Sequence, residues 1–164
     1  MAEHRFRVVY DCNVLWRAFF FGNGLGSECR RLIQDKLVEH FVSTETVEEL
    51  LDVLTREETL ARFPNYSSEN AKDFVRQIIS ESTLVKKVPS VATLPRDSDD
   101  EPYLNLAAAI EAAYLVTSDR DLLDLMTGID VESKQFRQRL RHLTIVRPDE
   151  FLRIILDREL PLEP

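Results

Sequence analysis

The stretch Arg96–Leu123, RDSDDEPYLNLAAAIEAAYLVTSDRDLL, decides the reading of this chain. Carboxylates crowd both of its ends, and between them lie an almost wholly apolar helical segment and a short strand. Two unit charges about 4 Å apart repel by roughly 1 kcal/mol in water and by about 4 kcal/mol at an effective dielectric near 20. A folded pocket that gathers several carboxylates must protonate some, space them apart or bind a cation. A bound metal is the expectation here, and it depends on where the other acids fall.

Within the stretch, Asp97, Asp99 and Asp100 precede a helix expected from about Glu101 to Ala113. The helix dipole alone favours acids at a helix start by about 0.3–1 kcal/mol each, so capping accounts for one or two of them. The helix is Ala-rich and apolar nearly all round, which places it between layers. Tyr114-Leu115-Val116 reads as a strand that ends at Thr117-Ser118-Asp119, an acid at a carboxyl edge, and Arg120-Asp121-Leu122-Leu123 opens another short helix.

Toward the N-terminus the same arrangement recurs. Phe6 to Tyr10 is a buried strand with β-branched residues at its centre, and Asp11 follows it directly. An acid in that position lies where α/β sheets place ligands, although a turn cap is the plainer role. A glycine-containing loop after Phe19-Phe20-Phe21 lacks the Gly-Lys-Ser/Thr of a phosphate-binding loop. Ser27 is expected to cap a helix running to about Glu39, Phe41-Val42 to form a short strand, and Ser43 or Thr44 to cap the next helix. There Val47, Leu50, Leu51 and Leu54 form an apolar stripe, with Val53 widening it toward Glu49 rather than Glu48; periodicity alone does not choose between the two acids.

The segment from Arg56 to Tyr66, with Pro64, reads as a polar connection. An amphipathic helix follows from about Glu69 to Ser82, then a short strand at Leu84 to Val88 and a linker at Pro89 to Pro95. Beyond Asp124 the pattern is less regular, and the basic run Arg137, Arg139, Arg141 and His142 reads first as a solvated face and second as an RNA contact. Leu143 to Val146 is a last strand, and Pro148 suits the first turn of a closing helix.

At 164 residues the chain suits one domain over about residues 1–160, with a frayed tail at 161–164. No apolar run reaches the roughly 18 residues of a membrane span, and the N-terminus lacks the apolar core of a secretion signal, so no membrane association and a cytoplasmic location are expected. Cys12 and Cys29 have no metal-ligand spacing and are expected to be free thiols. The formal charge of −8 argues against nucleic-acid binding through overall charge, but not against a site that meets a phosphodiester through bound cations.

Alternating strands and helices imply a three-layer α/β/α sandwich around a central, mostly parallel sheet. In it Asp11, Asp100 and Asp119 fall at strand ends or adjoining helix starts, and Glu49 lies in the first turns of the helix after another strand. Four carboxylates from four distant segments then converge on one sheet edge.

The segments Val-Val-Tyr-Asp-Cys-Asn-Val-Leu, Thr-Val-Glu-Glu-Leu-Leu-Asp-Val-Leu, Arg-Asp-Ser-Asp-Asp-Glu-Pro-Tyr-Leu and Leu-Val-Thr-Ser-Asp-Arg-Asp-Leu-Leu occur here in that order. Together they resemble the successive motifs of PIN-domain nucleases, over about residues 6–156, and most of all the bacterial branch of VapC-like toxin components of toxin–antitoxin pairs. The resemblance places the family's four acids on Asp11, Glu49, Asp100 and Asp119, with Asp11, Asp100 and Asp119 as metal ligands. It gives supporting roles to Asn13, Asp97, Thr117 and Asp121. Cys12 stands where the family commonly has threonine or serine, and Asp99 and Glu101 flank the third acid closely enough to compete for its role.

The resemblance implies a Mg²⁺- or Mn²⁺-dependent endoribonuclease acting on RNA, with a protein antitoxin and a homodimer as partners. A PIN-like module that binds RNA or protein without cleaving it is the alternative. A phosphotransfer domain is not supported: a phosphatase of the haloacid-dehalogenase type needs an acid two residues after the first Asp, and this chain has Asn13.

Overall fold

The computed structural model describes residues 4–90 and 98–159. Five strands, β1 (Phe6–Tyr10), β2 (Val38–Ser43), β3 (Thr83–Val85), β4 (Tyr114–Val116) and β5 (Thr144–Val146), form one sheet in the order β3-β2-β1-β4-β5. Every pairing is parallel. The helices are α1 (Cys12–Phe20), α2 (Leu25–Gln34), α3 (Thr44–Thr55), α4 (Glu57–Arg62), α5 (Ser68–Glu81), α6 (Glu101–Ala109), α7 (Arg120–Thr127), α8 (Val131–Arg139) and α9 (Pro148–Glu159). With right-handed crossovers, this strand order puts α1 to α5 on one face and α6 to α8 on the other, while α9 returns to pack on α2. The expected three-layer α/β/α architecture is therefore present.

The core is the apolar centre of the sheet and the helix faces against it. Val8, Val9, Leu115, Val116 and Ile145 are buried in the strands, and Leu104 and Leu106 of α6 are buried as well. Parallel strands covered on both faces read as continuous apolar runs, which is why β1 and β4 were legible in outline. The aromatic cluster is mainly packing. Phe20 is buried and stacks on Phe63 with centroids 4.1 Å apart, Phe19 meets Tyr66 and Phe74, and Phe21 alone stays largely exposed.

Several elements differ from the sequence expectation. The helix expected to reach Glu39 ends at Gln34, because Lys36 turns left-handed (φ 57°) and Leu37 N–H bonds back to the Leu32 carbonyl. This frees Val38–Ser43 for a strand longer than Phe41-Val42. Ser27 does not cap α2; Gly24 occupies that position, and the Ser27 hydroxyl donates to the carbonyls of Phe21 and Ala18. The helix after Asp100 stops at Ala109 instead of Ala113, closed by Glu111 at φ 51°. The supposed connection Arg56–Tyr66 contains α4, and the irregular region after Asp124 contains α8. Most of the linker read at Pro89–Pro95, Asp97 and the tail at 161–164 lie outside the described residues.

The order of the strands positions the candidate site. The chain moves from β1 to β2 on one side, and β4 then joins β1 on the other, so β1 and β4 flank the point where the connections reverse. Ligand sites of open α/β sheets lie in the crevice at that point, beyond the carboxyl ends of the strands.

Candidate metal centre

The register of β1 and β4 builds the site. Tyr10 pairs with Val116, so the next residues, Asp11 and Thr117, emerge side by side from the carboxyl edge. The Asp11 N–H donates to the Val116 carbonyl (2.9 Å), which extends the ladder to this residue. Asp11 then caps α1: its Oδ1 accepts from the Cys12 N–H at 2.7 Å. Its Oδ2 accepts from the Thr117 hydroxyl at 2.6 Å and from Asn13 Nδ2 at 3.3 Å. Thr117 is fully buried, and its Oγ1 also accepts from the Asp119 N–H at 3.0 Å. Asp119 in turn caps α7, accepting from the Asp121 N–H at 2.9 Å.

Asp100 arrives from the opposite side, at the end of a single 3-10 turn (Ser98–Asp100) that leads into α6. It occupies the N-cap position, yet its side chain makes no capping bond. Asp100 is instead 8% exposed and Asp11 6% exposed, and carboxylate oxygens of Asp11, Asp100 and Asp119 lie within 4.8 Å of one another. Asp99 beside it is exposed, so among the competing neighbours the geometry brings Asp100 to the group.

The remaining candidates take different places. Glu49 is half-buried and Glu48 exposed, which separates the pair that periodicity left level. Glu49 acts electrostatically on Asp11 and Cys12 but stands outside the group of three. Asn13 touches Asp11 directly, and its Oδ1 is buried without a hydrogen-bond partner among the described residues. Asp121 contributes its backbone N–H, while its side chain is exposed and not part of the group. In the basic run, Arg137 is committed to the Leu125 and Gly128 carbonyls, and Arg139, Arg141 and His142 are exposed.

The electrostatics fit a cation. Burial, with smaller contributions from Glu49 and Asp119, pushes the Asp11 carboxyl up to about 6 from 3.8, against the opposing hydrogen bonds from Thr117 and the Cys12 N–H. Burial, with smaller contributions from Glu49 and Asp11, pushes the Cys12 thiol up to about 12, so it is a neutral packing group that stands outside the group of three. The donor set is all carboxylate oxygen, which suits hard divalent ions such as Mg²⁺ or Mn²⁺.

Sequence reasoning missed Tyr103. It is 2% exposed on the inner side of α6, and its hydroxyl lies near the Cys12 thiol and the Glu49 carboxylate without meeting, among the described residues, an acceptor at good hydrogen-bonding geometry. Its position three residues after Asp100 was the available signal, but helical periodicity registers only its apolar body.

Comparisons with known proteins bear on the family and the fold. A family model described as PIN domain matches residues 7–121, which include Asp11, Glu49, Asp100 and Asp119. Among solved structures the chain is similar to PAE2754 from Pyrobaculum aerophilum, with a TM-score of 0.58 and 14% identity over 93% of this chain and 90% of that one. At that identity the likeness concerns the fold alone. No curated protein matches. The family model spans well over half of the sequence, and the chain belongs to the PIN-domain family, whose fold is of the nuclease type.

Proposed function

We propose that this protein is a metal-dependent endoribonuclease that hydrolyses RNA phosphodiester bonds. The observation that carries the proposal is the convergence of Asp11, Asp100 and Asp119 within 4.8 Å at the switch point of the sheet. These three carboxylates are the residues that would hold Mg²⁺ or Mn²⁺. When bound, the divalent cation supplies Lewis acidity toward a phosphodiester and makes water more acidic.

The protein's own groups do the rest. Thr117, Asn13 and the Cys12 N–H fix both oxygens of Asp11 before any ligand arrives. Asp119 is fixed through its cap on α7, so two of the three carboxylates are preorganised by rigid element ends. Glu49, half-buried beside Asp11 and outside the group of three, is the carboxylate left to accept a proton from the attacking water at one of its oxygens.

A role as the toxin of a toxin–antitoxin pair is supported by the likeness of the motifs alone; co-purification with a neighbouring gene product tests it. The test of hydrolysis is cleavage of RNA by the purified protein with Mn²⁺, with Mg²⁺ and with EDTA, beside Asp11→Asn and Asp100→Asn. Metal-dependent cleavage should fall by several orders of magnitude in either variant. Undiminished activity in both would sink the assignment. Metal binding without cleavage by the wild type would leave the non-cleaving module.

A further inference from the structure

A cleft of about 520 Å³ opens between α1, the start of α2 and the segment that leaves β5, and Ser118, the residue before Asp119, is part of its lining. Ser118 lies in the chain between Thr117, which bonds to Asp11, and Asp119, so the cleft adjoins the segment that carries the clustered acids. Its walls carry two guanidinium groups, Arg17 on α1 and Arg147 after β5. Arg17 is exposed and makes no ion pair among the described residues. Arg147 meets Asp149 at 3.3 Å and Glu150 at 3.6 Å, both in solvent, where such pairs are weak and a phosphate competes readily. Asp149 also lines the cleft, so its side chains carry two positive charges against one negative.

The same cleft holds exposed apolar surface. Phe21 is 45% exposed and Leu25 47% exposed, among the few large apolar residues that the described fold leaves in water, and both face this space. The wall they belong to is rigid. Gly26 brings α2 so close to α1 that a Cβ there would stand 2.6 Å from the Val14 carbonyl oxygen. An aromatic ring, an aliphatic neighbour and two guanidinium groups, all next to a phosphodiester-type site, match the two halves of a nucleotide: a base with a π-face and an anionic phosphate.

We propose that this cleft holds one unstacked nucleotide of a single-stranded nucleic acid, adjoining the bond to be cleaved, with its base on Phe21 and its phosphate on Arg17 and Arg147. This rests on the reading of the carboxylates as a phosphodiester-hydrolysing centre and adds to it a nucleotide subsite built by Phe21, Arg17 and Arg147. A duplex is a poor occupant, because its bases are stacked on one another and unavailable to Phe21. The cleft volume lies in the range of sites for one small ligand rather than for a double helix.

The test is the anisotropy of a fluorescein-labelled single-stranded RNA decamer with the full chain in Ca²⁺, with the decamer verified as intact. Phe21→Ala should raise the Kd about tenfold, since base stacking on one aromatic ring is worth roughly that, and Phe21→Trp should restore it. Arg17→Gln, at an exposed position that does not threaten folding, should raise the Kd severalfold and make the salt dependence shallower by about one phosphate contact. The duplex of the same sequence should compete at least tenfold less well than the single strand. A deoxy decamer that binds as well assigns the shared single-strand chemistry, and a weaker one assigns ribose recognition in addition.

Kd values within twofold of the wild type for both Phe21→Ala and Arg17→Gln overturn the cleft, as does a wild type that does not bind the decamer. The two readings separate on the same oligomer with Mn²⁺. Cleavage that persists while both variants bind normally leaves the hydrolytic reading and removes the cleft. Binding that depends on Phe21 and Arg17 without any cleavage upholds the cleft and removes hydrolysis.

Discussion

The Thr117 hydroxyl donates to Asp11 Oδ2 at 2.6 Å, joining the ends of β4 and β1 at a position where both residues are buried. Thr117 Oγ1 also accepts from the Asp119 N–H, so one hydroxyl serves two of the three clustered acids. Thr117→Val keeps the shape and removes both bonds. A buried acceptor and an N–H lose their partner, at a cost of about 1–3 kcal/mol. Metal affinity should also fall by roughly 10- to 100-fold, the usual effect of losing a partner that orients a ligand. Thr117→Ser should recover most of both quantities, measured by urea denaturation and metal titration calorimetry. Wild-type metal affinity in Thr117→Val would show that the hydroxyl does not position Asp11.

Asp11 makes the metal-free protein less stable as pH rises. Its folded-state carboxyl is held near 6 by burial, with an ordinary value of 3.8, so the folded state binds the extra proton between those values. Stability therefore declines as pH climbs from about 4 to about 6, by about 3 kcal/mol in total. Asn imitates the protonated acid. In EDTA, Asp11→Asn should match the wild type near pH 4 and exceed it at pH 7.5, as read from urea midpoints. A variant that is no more stable at pH 7.5 would mean that the buried carboxylate carries little penalty.

Much of this was legible in the sequence because parallel strands leave strong local traces. Phe6–Tyr10 and Tyr114–Val116 are apolar runs followed at once by polar residues, and the acids after them mark the sheet edge. Helix α4 was hidden by its length, too short for a period of 3.6 to emerge, and by the adjoining Pro64. Helix α1 was hidden by Trp16 and the Phe19–Phe21 run, which gave it apolar residues on most sides. The cleft was not legible at all: Arg17 and Arg147 belong to opposite ends of the chain and meet only because α1 and the segment after β5 converge beside β4.

His40 supplies a pH dependence of the opposite sign. It is buried on β2, packs at a tilt against Tyr10 with ring centroids 4.7 Å apart, and meets Ser82 Oγ through Nδ1 at 2.6 Å. Burial lowers its pKa to about 3 from 6.5. The unfolded chain takes up a proton near pH 6.5 and the folded chain does not until about pH 3, so stability is full above 6.5 and drains away below it. The slope is about 1.4 kcal/mol per pH unit across that window. His40→Asn keeps a polar atom near Ser82 while leaving a small cavity. It should be less stable than the wild type at pH 7 and have a shallower acid limb, so that the two curves converge toward pH 4. Parallel curves in urea titrations at pH 4, 5, 6 and 7 would remove His40 as the cause.

Tyr103 is the last case, and its expected effect is a small one. Among the described residues the buried hydroxyl meets no acceptor at good hydrogen-bonding geometry, and burial first, then the nearby Cys12 and the charge and loose contact of Glu49, push its pKa well above the ordinary range. A buried O–H whose nearest acceptors, Glu49 and Cys12, lie outside good hydrogen-bonding geometry loses its hydration and regains little in return. Tyr103→Phe removes only that group and leaves the ring packed in α6. In EDTA its stability should equal or exceed that of the wild type, by up to about 1 kcal/mol. A loss of more than about 2 kcal/mol would mean that the hydroxyl has a partner in the folded state. Repeating the measurement in Mn²⁺ extends the comparison to the loaded site, where Glu49 stands beside the same hydroxyl. If loading brings that carboxylate into hydrogen-bonding geometry, the variant should gain less stability from Mn²⁺ than the wild type does. Equal gains would confine Tyr103 to packing.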